Sequence, residues 1–268
     1  MRRLADGATD MNPGNLPISA IVIARNEAER IEKCLNSLRW VNEILLIDNG
    51  STDQTAALAE QQGAQVISVS GQNFANLRNI GKQQSSGQWL LYIDADELVT
   101  EALSREVKEI VRKFNHETDP VAYFIRRQNY YLGKLWPVQD RMQRLFWKPA
   151  LIRWQGKLHE TAEVRGITSE LQEPLIHHTH RTLEEMVAKT NAWSEIEAEL
   201  RIKAHHPTVS WWRLLRVIWT GFSDSFFRQG GWRAGAAGWI ESIYQGFSLF
   251  ITYAKLWERQ QADPQSKK

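Results

Sequence analysis

Four continuous apolar runs dominate the first hundred residues: Ile18-Ser19-Ala20-Ile21-Val22-Ile23-Ala24, Glu43-Ile44-Leu45-Leu46-Ile47, Gln65-Val66-Ile67-Ser68-Val69 and Trp89-Leu90-Leu91-Tyr92-Ile93. Runs without polar alternation mark strands covered on both faces. Between them the period changes to that of a helix, through Ile31, Leu35 and Leu38, then over Gln54–Gln62, then over Asn76–Ser85 with Gly87 closing it. Ser51 or Thr52 is placed to cap the second of these helices. Strand and helix in alternation predict an α/β chain with a mostly parallel sheet, right-handed crossovers and flanking helices. Ligands of such sheets bind beyond the carboxyl ends of the strands. Asn26-Glu27, Asp48 and Asp94-Ala95-Asp96 all fall there.

After a helix over Glu101–Asn115 the pattern turns mixed, with shorter strands at Ala122–Ile125, Met142–Phe146 and Ala162–Val164. From Leu183 it is helical to the end, broken near Pro207 and Thr208. The expected organisation is a polar leader over 1–16, an α/β domain over 17–182 and an amphipathic helical extension over 183–268. In the extension, Trp239, Ile243, Phe247, Phe250, Ala254 and Trp257 recur in steps of three and four, which draws one apolar stripe on a helix. Glu241, Gln245, Ser248, Thr252, Lys255 and Arg259 fall opposite. A second stretch, Trp211 to Phe227, mixes Arg213 and Arg216 with Leu214, Leu215, Ile218, Trp219 and Phe222.

Composition sharpens this. The 268 residues carry a net charge of +2, yet residues 201–268 hold ten Lys/Arg against four Asp/Glu, and six of the twelve tryptophans. A basic, Trp-rich end on an acidic body suits an anionic membrane surface, where Trp and Arg favour the headgroup region. The same surface could serve a homodimer. No nucleic-acid-binding signature accompanies the charge. No stretch is apolar enough for a spanning helix, and the polar start does not read as a signal peptide. The single cysteine, Cys34, excludes an internal disulfide and reads as a small core residue.

Candidate chemistry concentrates in Asp94-Ala95-Asp96-Glu97 at the exit of the fourth strand. Carboxylates at a core strand's end call for positive charge. A divalent cation carrying a diphosphate would supply it, since hard cations take oxygen ligands and share phosphates. Asp94 and Asp96, two apart, would point the same way in an extended segment. His177, His178 and His180 cluster later, and imidazole is a ligand for Mn²⁺ or Zn²⁺. Alone, each is matched by a plainer reading: a solvated turn for the acids, ordinary histidines at a strand's end for the cluster.

Taken in order, the motifs resemble family 2 glycosyltransferases of the GT-A (Rossmann-like) fold, over about residues 17–180. Ser19 to Glu27 is similar to that family's first strand and nucleotide loop, Ile47-Asp48-Asn49-Gly50-Ser51-Thr52-Asp53 to its nucleobase segment, Arg78-Asn79-Ile80-Gly81 to its helix beside the nucleotide, and Asp94-Ala95-Asp96-Glu97 to its metal-diphosphate motif. Within the family, Arg144-Leu145-Phe146, His159-Glu160 and Pro174-Leu175-Ile176-His177 resemble lipopolysaccharide core β-1,4-glucosyltransferases. Asn49 departs from the Asp or Ser that many members carry after the nucleobase aspartate.

The resemblance implies an inverting transfer of a hexose, glucose from UDP-glucose foremost, onto a glycolipid acceptor such as the lipopolysaccharide inner core. It implies Ala24, Asn26, Glu27, Asp48, Arg78, Asp94 and Ala95 at the nucleotide sugar, and Asp96 and His177 at Mg²⁺ or Mn²⁺. Glu160 is the expected catalytic base, and Trp136, Arg144 and His159 the expected acceptor contacts. The expected place is the cytoplasmic face of the inner membrane, held peripherally. The rivals are another lipid, polymer or protein acceptor, a sugar nucleotidyltransferase, and a catalytically inert membrane adaptor.

Overall fold

The computed structural model describes residues 17–156, 160–179 and 182–262. Along the chain run β1 (Ile18–Ala24), α1 (Ile31–Asn36), β2 (Glu43–Asn49), α2 (Thr55–Gln61), β3 (Gln65–Val69), α3 (Phe74–Gln84), β4 (Trp89–Asp94), β5 (Glu97–Leu98), α4 (Glu101–Lys113), β6 (Ala122–Tyr131), β7 (Lys134–Leu135), β8 (Asp140–Trp147), β9 (Leu151–Gln155), β10 (Thr161–Val164), β11 (Thr168–Glu170) and β12 (Leu175–Thr179). Then come α5 (Leu183–Lys203), α6 (Trp211–Ser223), a π-helical turn (Asp224–Arg228), a 3₁₀ turn (Gly231–Ala234) and α7 (Gly235–Ala262). Two compact units divide the chain: Met1–Ile125 with Met142–Leu175, and Arg126–Arg141 with Ile176–Lys268.

In the first unit the strand order is β3-β2-β1-β4-β8-β6. β1 pairs parallel with both β2 and β4, and β8 joins β4 antiparallel. All seven residues of β1 are buried. One apolar layer sets Ala20 and Val22 of β1 against Cys34, Leu35 and Leu38 and against Leu103, Val107 and Val111 of α4. The opposite layer sets Ile21 and Ile23 against Ala75 and Leu77 of α3 and against Phe146 and Trp154. Each fully buried Val, Leu, Ile or Phe among them contributes about 1.5–3 kcal/mol. Gly81 brings α3 down on β1: a Cβ there would stand 2.4 Å from Ile21 Cγ2. Ala or larger would push the helix outward, and with it Arg78 one turn earlier.

Four local expectations change. α2 begins at Thr55 behind Gln54, and neither Ser51 nor Thr52 caps it. The Ser51 hydroxyl turns back to Asp48, and the Thr52 amide donates to Asn26 Oδ1 at 2.7 Å. α3 starts at Phe74, capped by Asn73, and α4 ends at Lys113. The chain also turns at Ala95–Asp96 directly after β4, so the extended spacing expected for Asp94 and Asp96 does not hold.

The second unit holds the outer ends of β6 and β8, the strands β7 and β12, and the C-terminal helices. α7 inverts the usual arrangement. It buries Gly238, Glu241, Ser242, Tyr244, Gly246, Thr252, Leu256 and Gln260. Its stripe of Trp239, Ile243, Phe247 and Trp257 is exposed, as are Trp211, Leu215 and Trp219 of α6. The buried polar groups are satisfied internally. Gln245 donates to Glu241 at 2.6 Å, Ser242 to the Gly238 carbonyl at 2.6 Å, and the Val209 amide to Gln260 at 2.9 Å. Among the described residues no helix is long and apolar enough to cross a membrane.

Candidate active site

The carboxyl edge of the first unit's parallel strands carries the site. Strand register puts Asp48 beside Ala24 and Asp94 beside Ile23, so the two acids flank the end of β1 on its two neighbours. Ala24, the last residue of β1, is buried. The chain then turns with Asn26 at φ +56, a left-handed conformation that Asn tolerates better than most residues. The loops after β1 and β2 are laced together. The Asn26 amide donates to Ser51 Oγ at 2.9 Å, the Glu27 amide to Thr55 Oγ1 at 2.8 Å and the Ala28 amide to Asp53 Oδ2 at 3.1 Å. Asp48, buried, accepts from the Ser51 amide at 3.2 and 3.3 Å and from its hydroxyl. Asn49 ties this edge to the loop before α3, exchanging bonds of 3.1 Å with the Gln72 backbone. Asp53 is held below the usual carboxylate range: burial pushes it up, but bonds from Thr55 and Ala28 outweigh that.

Beneath this edge lies an ion cluster of Arg78, Asp94, Glu97, Arg144 and Glu160. Arg78 is 1% exposed. Its Nη2 donates to Asp94 Oδ1 at 3.1 Å and to Glu160 Oε1 at 3.0 Å, and its Nε to Glu160 Oε1 at 3.1 Å. Both bonds to Glu160 therefore fall on one oxygen. The guanidinium lies 4.9 Å from the Trp154 ring centroid, a cation–π contact. Its neighbour Asn79 pins β9, donating to the Trp154 carbonyl at 2.9 Å and accepting from the Trp154 amide at 2.8 Å. Adjacent residues of α3 thus anchor the strand leading toward Glu160 and hold Glu160 itself.

Arg144 is wholly buried rather than turned outward to an acceptor. It donates to Asp94 Oδ2 at 2.5 Å and to Glu97 Oε1 at 2.7 Å. Glu97, also fully buried, accepts the Asp94 amide through its other oxygen at 2.9 Å. Desolvation opposes the Arg144 charge, but Asp94 and Glu97 overcome it and hold the guanidinium well above its ordinary value. Asp94 is thereby fixed at its amide and at both carboxylate oxygens. Ala95 is buried in the turn. Asp96, with its side chain 20% exposed, has one oxygen 3.8 Å from Arg30 Nη1.

Among the described residues no three His, Cys, Asp or Glu side chains gather into a ready-made metal cage. The donor set nonetheless fits a hard divalent cation. Such ions are often held by one or two carboxylates and otherwise by substrate phosphates and water. Asp94 and Asp96, with side chains 27% and 20% exposed, are the two carboxylates at the tip of β4 that such an ion would meet.

In the second unit His177 is 9% exposed, and its Nδ1 lies 2.7 Å from Asn129 Oδ1. Trp136 is buried, with its indole N–H donating to Gln229 at 3.2 Å and its ring edge-on to Tyr131. His159 and His180 lie outside the described residues. The first unit therefore brings together Ala24, Asn26, Glu27, Asp48, Arg78, Asp94, Ala95, Asp96, Arg144 and Glu160, while His177 and Trp136 belong to the second. The buried part of Glu97 went unassigned from sequence. For Arg144 the signal was a charged residue running directly into Leu145 and Phe146 on a strand.

The family model described as Glycosyl transferase family 2 matches residues 19–168. Lipopolysaccharide core biosynthesis glycosyltransferase LpsC of Rhizobium meliloti (strain 1021) is 27% identical over 259 residues, 91% of this chain and 93% of that protein. The S. aureus TarS 1-349 structure in complex with UDP-GlcNAc aligns with a TM-score of 0.47 and 16% identity over 91% of each chain. Glucosyl-3-phosphoglycerate synthase from Mycobacterium tuberculosis, in complex with Mn²⁺, uridine diphosphate and glucosyl-3-phosphoglycerate, aligns with a TM-score of 0.46 and 19% identity. That match covers 71% of this chain and 80% of that one. With a family match over more than half its length, the chain belongs to glycosyl transferase family 2.

Proposed function

We propose that this glycosyltransferase moves a hexose, glucose from UDP-glucose foremost, with inversion onto a lipid-linked acceptor such as the lipopolysaccharide inner core. The observation that carries it is the convergence of Asp48, Arg78, Asp94 and Glu160 in one unit, two of them on the strands flanking β1. LpsC, named for lipopolysaccharide core biosynthesis and matched nearly end to end, supports the acceptor class.

In this reading Asp48 reads the nucleobase, and the loop of Ala24, Asn26 and Glu27 covers the nucleoside. Asp94, immobilised by Arg78 and Arg144, orients the ribose or diphosphate. Asp96 holds the divalent cation. Mg²⁺ or Mn²⁺ bound there would neutralise charge growing on the leaving diphosphate. Glu160 takes the acceptor hydroxyl's proton as the new bond forms. Arg78 occupies its Oε1, which leaves Oε2 for that proton. His177, in the second unit, is proposed as an imidazole donor to a divalent cation. Arg144 is better placed to position Asp94 than to touch an acceptor, Trp136 is likewise buried and fills the core of its own loop, and His159 remains a proposed acceptor contact.

The membrane enters through the second unit. A helix that turns Trp239, Ile243 and Phe247 outward while burying Glu241, Ser242 and Gln260 is built for an apolar neighbour. Arg213, Arg216 and Arg233 stand on or beside the same helices and suit anionic headgroups. We therefore propose peripheral attachment, on the cytoplasmic face of the inner membrane, where nucleotide sugars are made. A homodimer through this face is the competing occupant.

The test is a panel of UDP- and GDP-sugars with Mn²⁺ or Mg²⁺ and purified protein, following binding and slow hydrolysis. Turnover of UDP-glucose above the others, lost on chelation, is the expected result. No binding of any nucleotide sugar would remove the transferase reading in favour of an inert adaptor. Release of pyrophosphate from a nucleoside triphosphate and a sugar phosphate would point to a nucleotidyltransferase.

A further inference from the structure

A chain of side chains in the second unit reaches His177. Arg127 and Asn129, two apart on β6, lie on one face of that strand. Arg127 Nε donates to both oxygens of Asp140 at 3.2 Å, and its Nη2 closes a second bond to Oδ2. Asn129 Nδ2 donates to Asp140 Oδ1 at 2.8 Å. Asn129 Oδ1 faces His177 Nδ1 at 2.7 Å. Burial pushes the Asp140 carboxyl up, but Arg127 and the Asn129 amide outweigh it and hold it below its ordinary value.

The direction of every bond follows from one fact: a carboxylate can only accept. Asp140, fixed by the Arg127 fork, must therefore face the NH₂ of Asn129. The amide cannot turn over, so its oxygen must face the imidazole. An amide oxygen only accepts, so the proton sits on Nδ1 of His177. In the neutral ring the lone pair then belongs to Nε2. A histidine kept only for packing has no need of a three-residue chain that decides which nitrogen carries the proton.

We infer that Arg127, Asp140 and Asn129 are positioning residues that lock His177 as the Nδ1–H tautomer and so preset Nε2 as a ligand for a divalent transition cation such as Mn²⁺. This is the arrangement by which outer hydrogen bonds commonly orient ligating imidazoles. The inference rests on the proposed cation role of His177 and names what enforces it. Nothing in it requires Asp96 to bind the same ion.

The first arm needs no metal and no variant. Long-range ¹H–¹⁵N spectra of the full-length protein would be recorded at about pH 8, above the ordinary imidazole range. His177 would be assigned by its absence from His177→Gln. Nε2 should be the unprotonated nitrogen in the wild type. Asp140→Asn, which lets the amide turn over, should give a mixture of tautomers. An Nε2–H ring in the wild type, or an unchanged ring in Asp140→Asn, overturns the lock.

The second arm titrates Mn²⁺ with UDP present. Asn129→Ala should weaken Mn²⁺ about 10–100-fold, the usual effect of removing such a partner. Added to His177→Ala, it should weaken binding no further. Unchanged affinity in Asn129→Ala, or additive losses in the double variant, overturns the ligand half of the inference. A wild type that binds no Mn²⁺ at all overturns that half together with the cation role in the proposed function. The tautomer stays decided by the first arm.

Discussion

At the scale of single residues, the site is governed by two arginines that hold three acids. Glu160 is bonded by Arg78 through one oxygen alone. If the other takes the acceptor proton, Glu160→Gln keeps the Arg78 contact through its carbonyl and loses the base. Donor binding should then survive, measured by calorimetry, while transfer falls by about 10²–10⁴-fold, the usual worth of a general base. Full activity in Glu160→Gln would move the base elsewhere. Arg144 poses a different question, because both it and Glu97 are fully buried. Arg144→Met keeps the bulk and removes the cation bound to Glu97 and to Asp94 Oδ2, while Arg78 still holds Asp94 Oδ1. Breaking one side of a buried pair costs about 3–5 kcal/mol. Urea denaturation should show that loss, and a protein as stable as wild type would mean the pair is spanned by water.

At the scale of elements, the parallel strands β1 to β4 were legible because each reads as an unbroken apolar run. Burial on both faces leaves no room for polar alternation. The helix after the second strand was read one residue early at its start, because a hydroxyl near a helix start is normally a cap. Here Ser51 is taken by Asp48, and no local rule shows that a loop 25 residues upstream competes for the segment. The turn at Ala95–Asp96 escaped for a similar reason: Glu97 folds back on the Asp94 amide, a contact that spacing alone does not announce. The Arg127–Asp140–Asn129–His177 chain was invisible, since its members sit on three strands and look like solvated polar residues. The C-terminal stripe was legible as a stripe but not in which way it faced, since periodicity is blind to direction. That direction makes a prediction. Trp211→Ser with Leu215→Ser and Trp219→Ser changes only exposed residues of α6. The triple variant should fold as wild type by circular dichroism and lose about tenfold or more in sedimentation with phosphatidylglycerol vesicles. Equal pelleting would favour the dimer, which analytical ultracentrifugation would then reveal.

At the scale of the whole molecule, charge is distributed unevenly while its total stays near zero. Residues 201–268 carry ten basic and four acidic side chains, and the other 200 carry 23 and 27. Exposed charges more than a Debye length apart are screened, and that length shrinks from about 10 Å at 0.1 M salt to about 3 Å at 1 M. Binding to anionic vesicles should therefore weaken steeply as sodium chloride rises. Binding that ignores salt would assign the attachment to the aromatic side chains alone.

Cys34 offers one more use. It is the only cysteine, it is buried, and its Sγ lies 3.7 Å from the carbonyl of Asp94. Burial first, then the charges of Glu97, Asp96 and Asp94, push its thiol well up, so the reactive thiolate is scarce while the edge stays closed. An alkylating reagent therefore reads how often β4's tip opens, and the rate of labelling becomes a clock for that breathing. A nucleotide sugar seated on Asp94 should slow the clock, giving a ligand assay that needs neither acceptor nor turnover.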